Sequence, residues 1–238
     1  MFKTLKHIWH DLSCTGLSFV VTLLWCISVF TGCSGEQDLN SPEGTEPETP
    51  PSYSGIIVAL GDSLTAGQGV PETQSYPAQL EARLLSDGFN YRVINAGVSG
   101  ETSSGTLSRI DWVHTTLKPD IIILVTGAND GLRGIDTRLL RSNLDRLLSK
   151  IKEHRIRVVL GGMKMLPNLG PAYARDFEDV YPEIAKKHGI TLVPFFLEGV
   201  AGETEFNQSD GIHPTSKGYS IIVDHLYPYV LEIIGNSH

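Results

Sequence analysis

Ile56-Ile57-Val58-Ala59-Leu60-Gly61-Asp62-Ser63-Leu64-Thr65-Ala66-Gly67 is the stretch that decides the architecture. Its first five residues are apolar and rich in β-branched side chains, the mark of a short buried strand. The chain then turns through Gly61 and presents the hydroxyl of Ser63 at the strand's C-terminal end. In an open α/β sheet that edge is where ligands bind. A free hydroxyl is a poor nucleophile near neutral pH and needs a base. By itself, Ser63 is most simply a turn or cap residue.

Outward from this stretch, strand and helix signals alternate. Tyr91–Ile94, Ile121–Val125, Arg157–Leu160 and Thr191–Phe195 read as four further strands. Between them, Tyr76, Leu80 and Leu84, then Leu140, Leu144, Leu147 and Ile151, then Phe177, Tyr181, Ile184 and Ala185 recur at helical spacing. A last helical segment runs from Ser216 to Ile234, where Pro228 should kink or interrupt it. Near-continuous apolar strands alternating with helices predict a parallel sheet covered on both faces. Five such strands suit the flavodoxin-like order 2-1-3-4-5. The loops after the first and third strands then face one cleft.

The N-terminal part differs in kind. Lys3 and Lys6 precede an apolar stretch from Leu17 to Phe30, short for a spanning helix but suited to a signal-peptide core. It closes in Phe30-Thr31-Gly32-Cys33-Ser34, which resembles a bacterial lipobox with Cys33 as the lipidated residue, although Phe30 stands where Leu is usual. An uncleaved N-terminal anchor is the alternative; both place the rest outside the cytoplasm and tethered to a membrane. Residues 34–54 hold four prolines and five acidic side chains with almost nothing apolar, an extended and self-repelling linker. The expected division is thus 1–33 signal, 34–54 linker and 55–238 globular domain.

The 238 residues carry a net charge of −8 and no Lys/Arg run, which argues against a nucleic-acid partner. All three cysteines, Cys14, Cys26 and Cys33, precede the domain. The domain therefore has neither a disulfide nor a cysteine nucleophile.

Chemistry enters with three further loops. Thr126-Gly127-Ala128-Asn129-Asp130 follows the third strand, and an Asn129 amide there can donate to charge developing on a carbonyl oxygen. Asn95-Ala96-Gly97-Val98-Ser99-Gly100 follows the second, where the Gly97 N–H offers a second donor and the Ser63 N–H a third. Asp210-Gly211-Ile212-His213-Pro214 precedes the last helix. Its acid can orient one nitrogen of His213, leaving the other to take the serine proton. Each residue alone has a plain alternative: Gly97 a backbone turn, Asn129 and Asp210 caps or Asx-turns, His213 a loop histidine. Their convergence on one predicted edge favours catalysis.

Gly-Asp-Ser-Leu at Ser63, Asn-Ala-Gly at Gly97, Gly-Ala-Asn-Asp at Asn129 and Asp-Gly-Ile-His-Pro at His213 together resemble the SGNH (GDSL) hydrolase superfamily over residues 55–234. Pro167–Tyr173 and Val193–Val200 are similar to its bacterial thioesterase I/arylesterase/lysophospholipase group. The resemblance implies a three-layer α/β/α fold that cleaves esters and thioesters through an acyl-serine. It implies Ser63 as nucleophile, His213 as base, Asp210 as its partner, and Gly97 and Asn129 in the oxyanion hole. It implies no metal or organic cofactor, a small acyl ester or lipid substrate, and no protein partner.

Rival signals are weaker. Gly67-Gln68-Gly69 lacks the third glycine of a dinucleotide fingerprint, and no Gly-x-Ser-x-Gly elbow occurs. Ser99 reads as a helix-entry residue. His114, His154, His188 and His225 lack paired metal-ligand spacing. Tyr173 and Phe196 read equally as acyl-groove or packing residues. Met163-Lys164-Met165-Leu166 carries nothing diagnostic of a substrate. Competing functions are a carbohydrate O-acetyl esterase, a non-catalytic lipid- or glycan-binding lipoprotein, and a flavodoxin-like cofactor binder.

Overall fold

The computed structural model describes residues 52–165 and 167–235. The signal, Cys33 and nearly all of the linker lie outside the described residues. Five parallel strands form one sheet in the order β2-β1-β3-β4-β5, as expected. They are β1 Gly55–Gly61, β2 Tyr91–Gly97, β3 Ile121–Val125, β4 Arg157–Gly161 and β5 Thr191–Val193. β3 is buried along its whole length, which is why its sequence has no polar interruption.

Helices cover both faces. α2 (Tyr76–Ser86) packs beside α7 (Ser216–Gly235) on one face. On the other, α3 (Ser103–Leu117), α5 (Thr137–Glu153) and α6 (Pro171–His188) lie side by side. Two short helices, α1 (Ser63–Ala66) and α4 (Ala128–Leu132), follow β1 and β3 directly. The helical spacings of the sequence meet the sheet as expected: Leu80, Leu84, Leu140, Leu144, Leu147, Ile151 and Phe177 are all fully buried.

Three boundaries depart from the sequence expectation. β2 runs on to Gly97, paired with Gly61, so Gly97 ends a strand instead of opening a turn. β5 stops at Val193 because Pro194 has no N–H to continue a ladder. The contact persists as loop bonds, with Gly162 N–H donating to Val193 O and Phe196 N–H to Gly162 O, each at 2.8 Å. α7 passes through Pro228 without a break. Buried Ile222, Leu226, Tyr227, Val230 and Ile233 hold both halves against the protein, which offsets the bond that proline cannot make. Among the described residues no helix is long and apolar enough to cross a membrane.

Ile123, at the centre of the sheet and without solvent exposure, offers a direct measure of this packing. Ile123→Ala should lower unfolding free energy by about 2–5 kcal/mol in a urea titration, the range for emptying a close-packed core site.

Candidate active site

Ser63 opens α1 immediately beyond β1, and Asp62 caps that helix by accepting the Leu64 N–H at 3.0 Å. The loop before α7 brings the base. His213 Nε2 lies 2.9 Å from Ser63 Oγ, and His213 Nδ1 lies 2.7 Å from Asp210 Oδ2. A carboxylate only accepts, so Nδ1 carries the proton and Nε2 is free to accept from the serine hydroxyl. Asp210 Oδ1 also accepts the backbone N–H groups of Ile212 at 2.9 Å and His213 at 3.0 Å. These bonds, led by the His213 N–H and followed by the ring and Ile212, hold the Asp210 carboxyl well below the usual carboxylate range. Ser63, His213 and Asp210 thus meet in one chain of hydrogen bonds, with Asp210 and His213 paired across the three-residue spacing seen in sequence.

Gln208 fixes the base loop to the nucleophile loop, and sequence reasoning missed it. Its Nε2 donates to Gln68 O at 2.7 Å and to Pro214 O at 3.0 Å. Asn207, paired with Pro214 in an isolated bridge, anchors the same loop by donating to Val200 O at 2.6 Å.

The donor side of the site differs from the sequence expectation at one residue. The Gly97 N–H already donates to Asn95 Oδ1 at 3.0 Å. Gly97 also packs so tightly on α1 that a Cβ there would sit 2.1 Å from the Ala66 backbone nitrogen. It is absent from the cavity beside Ser63, whereas Gly100 lines it. Gly100 has φ +77°, a conformation that favours glycine, and its N–H has no acceptor among the described residues. The Ser63 N–H likewise has none. Asn129 lines the cavity and commits one amide hydrogen, donating to Glu101 O at 3.0 Å, with the other free. The open donors are therefore Ser63, Gly100 and Asn129, and Gly97 serves close packing. The signal for Gly100 was its place in Val98-Ser99-Gly100-Glu101, one turn beyond the strand end.

That turn is held by side chains without a motif. Arg109 on α3 makes two 2.7 Å bonds to the Glu101 carboxylate and donates to Ala96 O at 2.8 Å and Gly61 O at 3.2 Å. Asp130, buried next to Asn129, accepts the Ser103 N–H at 2.8 Å and hydroxyl at 2.5 Å, so Ser103 takes the helix-entry place expected of Ser99. Ser99 is exposed in the turn ahead of it.

The cavity beside Ser63 holds about 600 Å³. Leu64, Leu132, Met163, Met165, Phe195 and Leu197 supply apolar walls, so the undiagnostic loop 163–166 proves to be a wall segment in its described part. Phe196 and Tyr173 are not among the lining residues. Phe196 is buried edge-on against Tyr76 at 5.2 Å between ring centres, and the Tyr173 hydroxyl donates to Ile135 O at 2.8 Å. Packing is their role; Phe195 and Leu197, on either side of Phe196, face the cavity. Of the other histidines, His188 bonds Asp145 at 2.8 Å and His114 stacks on His154.

Fold and site together have the form of a serine hydrolase. Residues 59–221 match the family model described as "GDSL-like Lipase/Acylhydrolase family". The chain is 38% identical over 172 residues to Esterase TesA of Pseudomonas aeruginosa, covering 72% of this chain and 86% of that protein. It is 39% identical to an arylesterase of Vibrio mimicus over 66% and 79% of the two chains. It is 32% identical to Thioesterase 1/protease 1/lysophospholipase L1 of Escherichia coli K12 over 71% and 79%. The crystal structure of the psychrotrophic esterase EstA from Pseudoalteromonas superposes with a TM-score of 0.73 at 30% identity, covering 76% of this chain and 99% of that one. The chain belongs to the GDSL-like lipase/acylhydrolase family and is an ester-bond hydrolase. The solved EstA chain is matched over 99% of its length by 76% of this one, so in that relative a chain of this extent folds by itself.

Asp62 supplies a measurable property of the nucleophile turn. Its second carboxyl oxygen is buried without a partner among the described residues. Desolvation pushes the group up to about 6, against the opposing Leu64 N–H and the His213 charge. A folded-state value above the unfolded 3.8 means stability is present in full below pH 3.8 and lost as pH rises through 6. Asp62→Asn keeps the capping acceptor without the charge. Its stability relative to wild type should rise by about 2 kcal/mol between pH 4 and pH 7 in paired denaturation curves.

Proposed function

We propose that Ser63, His213 and Asp210 form the catalytic triad, with the N–H groups of Ser63 and Gly100 and the Asn129 amide as the oxyanion hole. The carrying observation is the continuous Asp210–His213–Ser63 hydrogen-bond chain at 2.7 and 2.9 Å, opening on a cavity edged by unused donors. Ser63 Oγ attacks the acyl carbonyl while its proton passes to His213 Nε2, and Asp210 stabilises the imidazolium. The carbonyl electron pair moves onto oxygen, where the three donors meet it. Collapse expels the alcohol or thiol, which takes the proton from Nε2. Water repeats the sequence on the acyl-serine and frees the acid. Every step uses side chains, backbone N–H groups and water.

The apolar walls favour a hydrocarbon or aryl acyl ester or thioester over an acetylated sugar, whose hydroxyls need polar partners. The division into a 1–33 signal, a 34–54 linker and a 55–238 domain, with lipidation at Cys33, is part of the same reading and rests on the sequence alone. It places the enzyme outside the cytoplasm, held to a membrane. Globomycin-sensitive processing of the full chain, lost in Cys33→Ser, is the check on that part.

Ser63→Ala should abolish hydrolysis of a p-nitrophenyl acyl ester and labelling by a fluorophosphonate. Asn129→Ala should lower kcat by about 10²–10³-fold with Ser63 still labelled, the scale of one oxyanion donor. Full turnover in Ser63→Ala refutes the mechanism.

A further inference from the structure

Seven large apolar side chains stand exposed among the described residues, and four of them, Val98, Leu132, Leu169 and Ile212, are 44–53% exposed on the edge that carries Ser63. Each lies on a different segment: Val98 after β2, Leu132 at the end of α4, Leu169 in the turn after β4, and Ile212 beside His213. Scattered exposed aliphatics need no explanation, but four converging around one mouth do.

Direct contacts connect these segments. Arg133, next to Leu132, donates to Gly100 O at 2.8 Å, which ties that segment to the turn bearing Val98. Leu169 reaches within 3.5 Å of where a Cβ on Gly134 would stand. Leu132 and Ile212 also line the cavity, so apolar surface continues from the rim to the walls beside Ser63.

The occupant follows from that continuity and from charge. A protein seated over the mouth seals the cavity, whereas a lipid phase feeds it. The rim carries Arg133 beside Leu132, Lys164 paired with Glu178 at 3.4 Å, and the exposed Glu203 next to the lining residue Gly202. Mixed signs match headgroups of zero net charge better than anionic ones. We propose that this rim docks on the surface of a zwitterionic lipid aggregate. Its aliphatics enter the interface, and ester substrate passes from lipid into the cavity without crossing bulk water. The choice of lipid as partner rests on the ester-hydrolase reading.

The test uses residues 52–238 carrying Ser63→Ala, so that binding is measured without turnover, sedimented with phosphatidylcholine vesicles. The protein should partition onto vesicles and keep doing so in about 0.5 M salt, which screens surface charge but not apolar burial. Val98→Ser/Leu169→Ser, two rim residues outside the cavity wall, should lower the partition coefficient by about tenfold or more, given the transfer value of two aliphatic side chains. Trp112→Ser, an exposed aromatic on α3 away from this edge, should leave it unchanged. With Ser63 restored, the double variant should hydrolyse a dissolved short-chain ester at the wild-type rate, which certifies its fold. Absence of vesicle binding, loss of binding in salt, or equal binding by the double variant overturns the proposal. Failure of the wild-type domain to cleave the dissolved ester instead overturns the catalytic reading and leaves the vesicle result standing.

Discussion

The geometry of the site depends on Arg109. Its guanidinium spans the carboxyl ends of β1 and β2 through Gly61 O and Ala96 O, and closes on Glu101 with two short bonds. Both partners are largely shielded, with side chains 18% and 8% exposed. An ion pair so placed repays its desolvation only when geometry is good and the remaining donors are used. Here the planar fork meets the carboxylate with two bonds, and a nitrogen that also serves the carboxylate reaches both carbonyls. Glu101 in turn offers its own carbonyl to Asn129, so one ion pair sets the turn holding Gly100 and the amide facing it. The nucleophile turn is fixed to the same point, because Gly61 O belongs to the strand from which Ser63 departs.

Most of the architecture was legible because a parallel sheet writes itself into sequence as uninterrupted apolar runs. Ile121–Val125 admits hardly any other reading. The errors fell where backbone hydrogen bonding, not side-chain pattern, decides the boundary. Nothing in Asn95-Ala96-Gly97 indicates that the ladder reaches Gly97, and Pro194 shortens β5 although the residues around it look strand-like. At Pro228 the local rule failed, since tertiary packing of α7 outweighs one missing bond.

The members of the Asp210–His213–Ser63 hydrogen-bond chain were legible for a different reason: they sit in short segments with a marked local pattern. Asp210 and His213 are three residues apart because the same carboxylate bonds both the ring and the backbone of His213. Residues acting at long range left no such mark. Arg109, Gln208 and Asp130 are ordinary polar residues until folding brings them to Gly61, Gln68 and Ser103. The assignment of Gly97 failed on this point, since two glycines three residues apart look alike in sequence. Only one has its N–H unoccupied.

His213 stands 150 positions beyond Ser63 in the chain, and the two meet only because the segment ahead of α7 returns to the first strand. A chain still emerging from synthesis therefore carries Ser63 early and His213 late. Without His213 in place, Ser63 is a hydroxyl without an acceptor, chemically as quiet as any surface serine. The Ser63–His213 contact is thus a property of the completed chain, made only once the segment ahead of α7 lies against the first strand.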